Sequence, residues 1–290
     1  MRVRRASGAT GLGRLSLIFL ALIAIAATGC GGNVGAPSVA VGSTSDPEST
    51  LVAHLYAAAL RFYGSPAHVR SVPDPVSELD SGTLRVVPGF TGRLLERFEP
   101  DATARSDAQV YRAMVSALPE GVAAGDYTTS AEDKPAIAVA ERTADAWGGR
   151  DVTAAVRNCA KVTAGALAGA PRPSKVGSCA MPKPREFPDN ATLFAALRAG
   201  QVNAAWTTAA TPNIPSELVV LSDKTGLIRA ENLVPLYRRN ELNEQQVLAV
   251  NELAGVLDTG SLADMRRQVA EGKEPGLVAD AWLDAHPLGR

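Results

Sequence analysis

Between residues 38 and 290 the apolar positions follow two rhythms in turn, one of period two and one of helical spacing. Ser38-Val39-Ala40-Val41 is a short β-rich run, and Glu48 to Tyr63 carries a helical pattern that stops at Gly64, a residue suited to a left-handed C′ position. Thr83 to Val87 predicts a second strand, followed by a short amphipathic helix over Thr91–Phe98. Ser106 with Gln109 has capping-box spacing for a helix to Leu118, and Ala136–Ala140 is the next strand. From Ala146 to Pro188 the chain turns rich in Gly, Ala, Pro and Lys and shows no clear rhythm. The pattern then sharpens. Asp189 or Asn190 opens a helix that stops before Gly200, and strands are predicted at Gln201–Trp206 and Glu217–Leu221. Asn243 with Gln246 caps a helix to Ala254, Ser261 with Asp264 caps another to Ala270, and Pro275 opens a third. Such alternation predicts an α/β fold with parallel or mixed sheets covered by helices, and no internal repeat interrupts it.

The first 30 residues stand apart. Arg2, Arg4, Arg5 and Arg14 form a positive leader, and Leu15 to Thr28 form an apolar stretch too short for a permanent span. Small residues then run into Cys30, an arrangement that resembles a bacterial lipobox, so residues 1–30 are read as a lipoprotein signal peptide and Cys30 as the acylated residue. The alternative is a signal cleaved nearby with Cys30 incidental. Residues 31–37 read as a flexible stalk.

Of the chain's 29 basic and 30 acidic residues, four Arg and no acid lie in the leader, so the remaining 260 residues carry a formal charge of −5. Nothing in them suggests nucleic acid, no second apolar run is long enough to span a bilayer, and no cofactor motif stands out. The expectation is a monomer tethered by lipid to the outer face of the bacterial cell membrane. With Cys30 modified, only Cys159 and Cys179 remain, and an even pair in an oxidising compartment predicts a disulfide closing a 20-residue loop. In the chain-entropy picture such a loop stabilises by about 3 kcal/mol. Two buried free thiols are the alternative; His54, His68 and His286 show no metal-ligand spacing with either cysteine.

Three segments carry a resemblance. The first runs Gly82-Thr-Leu-Arg-Val-Val-Pro-Gly-Phe-Thr-Gly-Arg-Leu-Leu-Glu-Arg-Phe98, and the second Thr192-Leu-Phe-Ala-Ala-Leu-Arg-Ala-Gly-Gln-Val-Asn-Ala-Ala-Trp206. The third, from Leu233 to Leu283, holds Asn251-Glu-Leu-Ala-Gly-Val-Leu, Met265, Glu271-Gly-Lys-Glu-Pro and Ala281-Trp-Leu in order. Together with Val41-Gly42-Ser43 they resemble the substrate-binding proteins of glycine betaine, carnitine and choline importers of the ATP-binding-cassette type. The resemblance implies a two-lobe periplasmic-binding-protein fold of type II, whose lobes close on a ligand about crossing strands. It places lobe one at 38–138 and 223–290 and lobe two at 139–222, crossing after Ala136–Ala140 and returning near Glu217–Asp223. It also places both cysteines in lobe two and makes ABC permease subunits the partners.

That family holds quaternary ammonium groups in a box of aromatic rings, and here the box is depleted. Val87 and Gly89 stand where an aromatic and a Glu are usual, Pro135 where Tyr is common, and Glu231 replaces a ring; Phe90 and Asn232 are retained. Three missing walls at about 1–2 kcal/mol each weaken such binding by about 10²–10⁴. The resemblance makes Ser43, Thr44, Phe90, Thr91, Lys134, Trp206, Thr207, Thr208, Glu231 and Asn232 the candidate ligand residues. Plainer roles stand beside several of these: core packing for Trp206, ordinary capping for Ser43 and Thr44, and solvated surface for Lys134 and for Arg229, a further candidate carboxylate partner. No nucleophile elbow, phosphate loop or His-Glu-x-x-His motif points to an enzyme. The expected function is a lipid-anchored solute-binding protein of an ABC-type importer, taking a small polar or zwitterionic ligand other than glycine betaine. The alternative is an envelope interaction or adhesion lipoprotein on the same fold without a small ligand.

Overall fold

In the computed structural model, which describes residues 37–289, the first strand shows how the sheets are covered. Val39 and Val41 of β1 (Val39–Ser43) are buried in one cluster while Ala40 packs against another, the period of two for a strand covered on both faces. Helix α1 (Pro47–Phe62) follows, capped by the Asp46 carboxylate, which accepts from Glu48 N and Ser49 N. It ends as its sequence predicts, with Gly64 at φ 78°. Next come β2 (Ala67–Ser71), α2 (Pro75–Asp80), β3 (Val86–Phe90), α3 (Thr91–Phe98), α4 (Asp107–Ser116) and β4 (Val122–Ala124). The middle of the chain forms β5 (Pro135–Ala140), α5 (Glu141–Trp147), α6 (Val152–Arg157), a 3₁₀ turn at Cys159–Lys161, β6 (Ala164–Leu167), β7 (Lys175–Val176), β8 (Cys179–Ala180) and β9 (Arg185–Phe187). Then follow α7 (Asn190–Arg198), β10 (Ala204–Thr208), β11 (Leu218–Val220), β12 (Leu233–Arg238), α8 (Glu244–Val256), α9 (Thr259–Ala270) and α10 (Pro275–Ala285).

These strands make two five-stranded sheets, ordered β2-β1-β3-β12-β4 and β11-β5-β10-β6-β9, and the small antiparallel ribbon β7-β8. Each large sheet is mixed and covered on both faces. In the first, Leu233 packs with α1 and the C-terminal helices while Val234 and Leu236 pack with α2, α3 and α4. In the second, Ile137, Val139, Ala204 and Trp206 face α5 and α6, while Ala138 and Ala205 face α7. The chain passes between sheets twice, over residues 125–134 and 221–232. Since β5 pairs only within the second sheet, the outward passage precedes Pro135 and does not follow Ala140 as expected. The two passages run against each other: Glu132 bridges Asn232, Asp133 N donates to Glu231 O at 2.8 Å, and Thr128 N donates to Leu233 O at 2.9 Å.

Several elements depart from the sequence pattern, each for a local reason. β3 starts at Val86, because Thr83 and Leu84 donate their N–H groups back to Glu78 O and close the turn after α2. β10 starts at Ala204, because Gln201 N donates to Ala196 O and so belongs to the end of α7. Ser106 occupies the N-cap of α4 but forms no side-chain cap bond. Asp258, and not Ser261, caps α9, and Ser261 N is the donor it receives at 2.7 Å. The Asn243–Gln246 capping box is complete. Strand β12 has no counterpart among the expected elements. Its Pro235 faces Pro88 of β3, and two residues without N–H groups are compatible in a pair that exchanges no ladder bonds.

The Cys159–Cys179 disulfide is present, with the Cα atoms 5.6 Å apart, and ties the 3₁₀ turn to the β7-β8 ribbon inside the irregular region. Cys30, the leader and residues 31–36 of the stalk lie outside the described residues. Among the described residues no helix is long and apolar enough to cross a membrane.

Candidate functional site

A cleft of about 470 Å³, a volume suited to a small molecule, is lined by α3 and the loop after it, Pro135 of β5, the loop ahead of β7 and the return passage. One wall is Arg93 and Glu96 of α3 with Ala102, Thr103 and Arg105 of the loop after it. The Pro171–Lys175 segment that leads into β7 and the return passage at 227–231 complete the lining. A smaller cavity of about 230 Å³, lined by Lys134, Ala209, Leu221 and Asp223 among others, lies beside the passages.

The start of α3 organises the larger cleft. Phe90 supplies no side-chain cap, and the free amides of the first turn are met from the return passage. Arg93 N donates to Glu231 Oε2 at 2.9 Å, and Thr91 N donates to Asn232 O at 2.9 Å. Thr91 Oγ1 accepts from Asn232 N at 3.1 Å, and Asn232 Nδ2 donates to Thr128 O on the outward passage at 2.9 Å. A carboxylate at a helix N-terminus is favourable both as acceptor and for the helix dipole. The close approach requires glycine at 92, since a Cβ there would lie 2.6 Å from Ala230 O and 2.7 Å from the Glu231 carboxyl.

Around this joint sits a charged network. Arg93 Nη1 donates to Glu48 Oε2 at 2.9 Å and Nη2 to Asp133 Oδ2 at 2.7 Å. Arg266 Nη1 donates to Asp133 Oδ1 at 2.7 Å and lies 3.0 Å from Glu48 Oε1. Burial pushes the Glu231 carboxyl up to about 7, against the opposing pull of the Arg93 guanidinium. Burial, reinforced by Asp133, likewise raises Glu48 despite Arg266 and Arg93. For Arg93 burial acts against the charge, but Glu48, Asp133 and Glu231 outweigh it and its pKa is raised. The same guanidinium stacks over the Phe90 ring, 4.5 Å from its centroid. The aromatic that the family resemblance would offer to a ligand's ammonium thus already carries a cation of the protein itself.

The other candidate residues do not gather at one place, and of the expected set only Glu231 and Lys134 line a cavity. Glu231 lines the larger cleft and Lys134 the smaller cavity. Lys134 pairs with Asp223 at 2.7 Å across the two passages. Although burial opposes it, Asp223 is held below the usual carboxylate range by Lys134 and by the Ile228 and Leu227 amides. Phe90, Thr91 and Asn232 are buried behind the cleft wall. Ser43 is fully buried with no partner for its hydroxyl among the described residues, and Thr207 Oγ1 is in the same condition. Thr44 belongs to the entry of α1, its N–H donating to Ser49 Oγ and its hydroxyl bonding Asp46. Thr208 shares a 2.9 Å hydroxyl contact with Thr211. Trp206 lies in the core under the second sheet with Ile137 and Val139, because the period of β10 turns it to the same face as Ala204. Arg93, Arg105, Arg172 and Lys175 were not singled out by sequence. The signal available was Arg172 between two prolines, which hold a loop stiff at the centre of the unpatterned stretch.

Residues 184–285 match the family described as the substrate binding domain of ABC-type glycine betaine transport system (OpuAC). No curated protein matches the chain in sequence. Among solved structures, the chain is similar to a glycine betaine/carnitine/choline ABC transporter protein with a TM-score of 0.70 at 16% identity, covering 86% of this chain and 98% of that one. It is similar to apo YehZ from Escherichia coli with a TM-score of 0.66 at 20% identity, covering 87% and 99% of the two chains. A choline binding protein of an ABC transporter, in complex with choline, gives a TM-score of 0.51 at 14% identity, covering 86% and 89%. At these identities the structures speak for the fold, and the expected α/β periplasmic-binding-protein fold stands. The resemblance to glycine betaine, carnitine and choline importer proteins stands as well, on the family match over 184–285.

Proposed function

We propose that this chain is the lipid-anchored solute-binding component of an ABC-type importer, holding a small polar or zwitterionic ligand other than glycine betaine in the cleft between its two sheets. The observation that carries the reading is the cleft itself: about 470 Å³, lined by α3 and the loop after it, by the loop ahead of β7 and by the return passage that pairs with the outward one. The matched family is one of transporter binding domains and not of enzymes. In this reading the two sheet halves are the lobes, the passages at 128–134 and 228–232 are the hinge, and ligand shifts the population toward a closed form that an ABC permease recognises.

Exclusion of glycine betaine rests on Phe90, whose ring already faces the Arg93 guanidinium. A trimethylammonium ligand would have to displace a cation held by Glu48 and Asp133. Calorimetry with glycine betaine is expected to show weak or no binding, while a thermal-shift panel of osmolytes, amino acids, amines and aromatics finds at least one stabilising ligand. Micromolar glycine betaine binding would overturn the first part, and a panel without any stabiliser the second. Anchoring through Cys30 is tested by Cys30→Ala and fractionation. The variant is expected to leave the membrane fraction, and full retention would refute the anchor.

A further inference from the structure

The charges lining the cleft are lopsided in a chain that carries no net excess of positive charge. Arg93, Arg105, Arg172, Lys175 and Arg229 line it, against Glu96 and Glu231. Arg93 is neutralised behind the wall by Glu48 and Asp133. The other four have no comparable partner. Among the described residues Arg105, Lys175 and Arg229 make no salt bridge, and Arg172 reaches only Glu186, at 4.0 Å. Backbone carbonyls hold two of the guanidiniums: Arg229 Nη2 donates to Ala102 O at 2.6 Å and Arg172 Nη1 to Ala170 O at 2.9 Å. A carbonyl orients a guanidinium without cancelling its charge, which leaves its remaining N–H groups for an anion.

We propose, resting on the reading of the cleft as a ligand site, that its ligand is anionic: a small molecule with net negative charge on a carboxylate, sulfonate or phosphate group. The cations come from separate segments of the lining, Arg105 on the loop after α3, Arg229 on the return passage bonded to that loop, and Arg172 and Lys175 on the loop ahead of β7. Closing the halves on an empty or cation-filled cleft brings like charges together. Closing them on an oxyanion converts the same groups into donors, so the charge of the ligand decides whether closure is favourable.

The test is calorimetry on the purified protein with matched probes: succinate, glutamate, ethanesulfonate and glycerol 3-phosphate, against succinamide, glycerol, choline and putrescine. At least one anion is expected to bind at least about 10-fold more tightly than its uncharged counterpart, the size of one charge-assisted hydrogen bond. The anion arms separate carboxylate, sulfonate and phosphate sources. Raising salt weakens the binding. Arg105→Gln and Lys175→Gln, tested separately so that one misfolded variant does not decide the matter, each weaken it by roughly 10-fold. Arg267→Gln, on the outer surface of α9, leaves it unchanged. Binding confined to neutral or cationic probes overturns the inference and leaves the solute-binding reading intact. Binding by no probe in either set overturns both.

Discussion

Glu231→Gln is expected to make the stability of the protein less dependent on pH, and in a stated direction. Glu231 is 7% exposed, and burial raises its carboxyl from 4.5 to about 7. Below about pH 4.5 the folded and unfolded chains both hold this proton, and the group costs nothing. Between there and about 7 the unfolded chain releases the proton while the folded chain retains it, so the wild type loses stability as pH rises. A difference of about 2.5 units corresponds to roughly 3 kcal/mol at the upper end of the window. Glutamine keeps an oxygen able to accept from Arg93 N, has the same reach, and does not titrate. Arg93 retains Glu48 and Asp133. Denaturant melts of both proteins from about pH 4.5 to about pH 8 are therefore expected to show a gap opening in favour of the variant by up to about 3 kcal/mol. In thermal scans that is roughly 6–12 °C for a chain of this size. Parallel profiles, or a gap that closes as pH rises, would refute the placement of a desolvated carboxylate at the start of α3.

Reduction of Cys159–Cys179, or Cys159→Ser with Cys179→Ser, is expected to lower stability by about 3 kcal/mol from the 20-residue loop it closes, read as a shift in denaturation midpoint, with no free thiol from this pair before reduction. Gly92→Ala is expected to cost about 1–3 kcal/mol in denaturant melts, because its Cβ meets the backbone of Ala230 and the Glu231 carboxyl. Lys134→Met leaves Asp223 buried without its cation and is expected to destabilise by about 3 kcal/mol, measured near neutral pH. The stability that Asp223 contributes is present above its unfolded pKa and is lost as pH falls through the depressed folded value, so the deficit is expected to shrink in acid.

Elements whose signals are local were legible in the sequence. Pro47–Phe62 with its terminal Gly64, Thr91–Phe98, and the Asn243–Gln246 box follow from periodicity and capping alone. The misplaced edges are those set by turns: Gln201 has strand-like neighbours but its N–H closes a helix. β12 escaped because Pro235 interrupts a strand pattern, and only the opposing Pro88 makes the interruption harmless. The disulfide follows from counting, whereas the crossing after β5 is what the resemblance implies, and the pairing of β5 with β10 and β11, which a linear chain does not display, moves it ahead of Pro135. At the site the family resemblance points to aromatic walls, and so to Phe90 and Glu231; of the cleft arginines only Arg229 is a candidate from sequence. Arg105, Arg172 and Lys175 are ordinary surface letters in a linear chain, and only folding brings the loop after α3 and the loop ahead of β7 into the lining of one cleft.

The disulfide also bears on how a guest is received. Lys175 pairs across the ribbon with Ala180, Met181 N donates to Ser174 O at 2.9 Å, and Cys179 is fastened to Cys159 beyond the end of α6. The loop of Arg172 and Lys175 is therefore shaped before any molecule arrives. In the proposed solute-binding role a wall already ordered does not have to be ordered at the moment of capture, and that saving appears as affinity. In that role, reducing the bond leaves the same side chains to be gathered on each encounter, which slows formation of the complex.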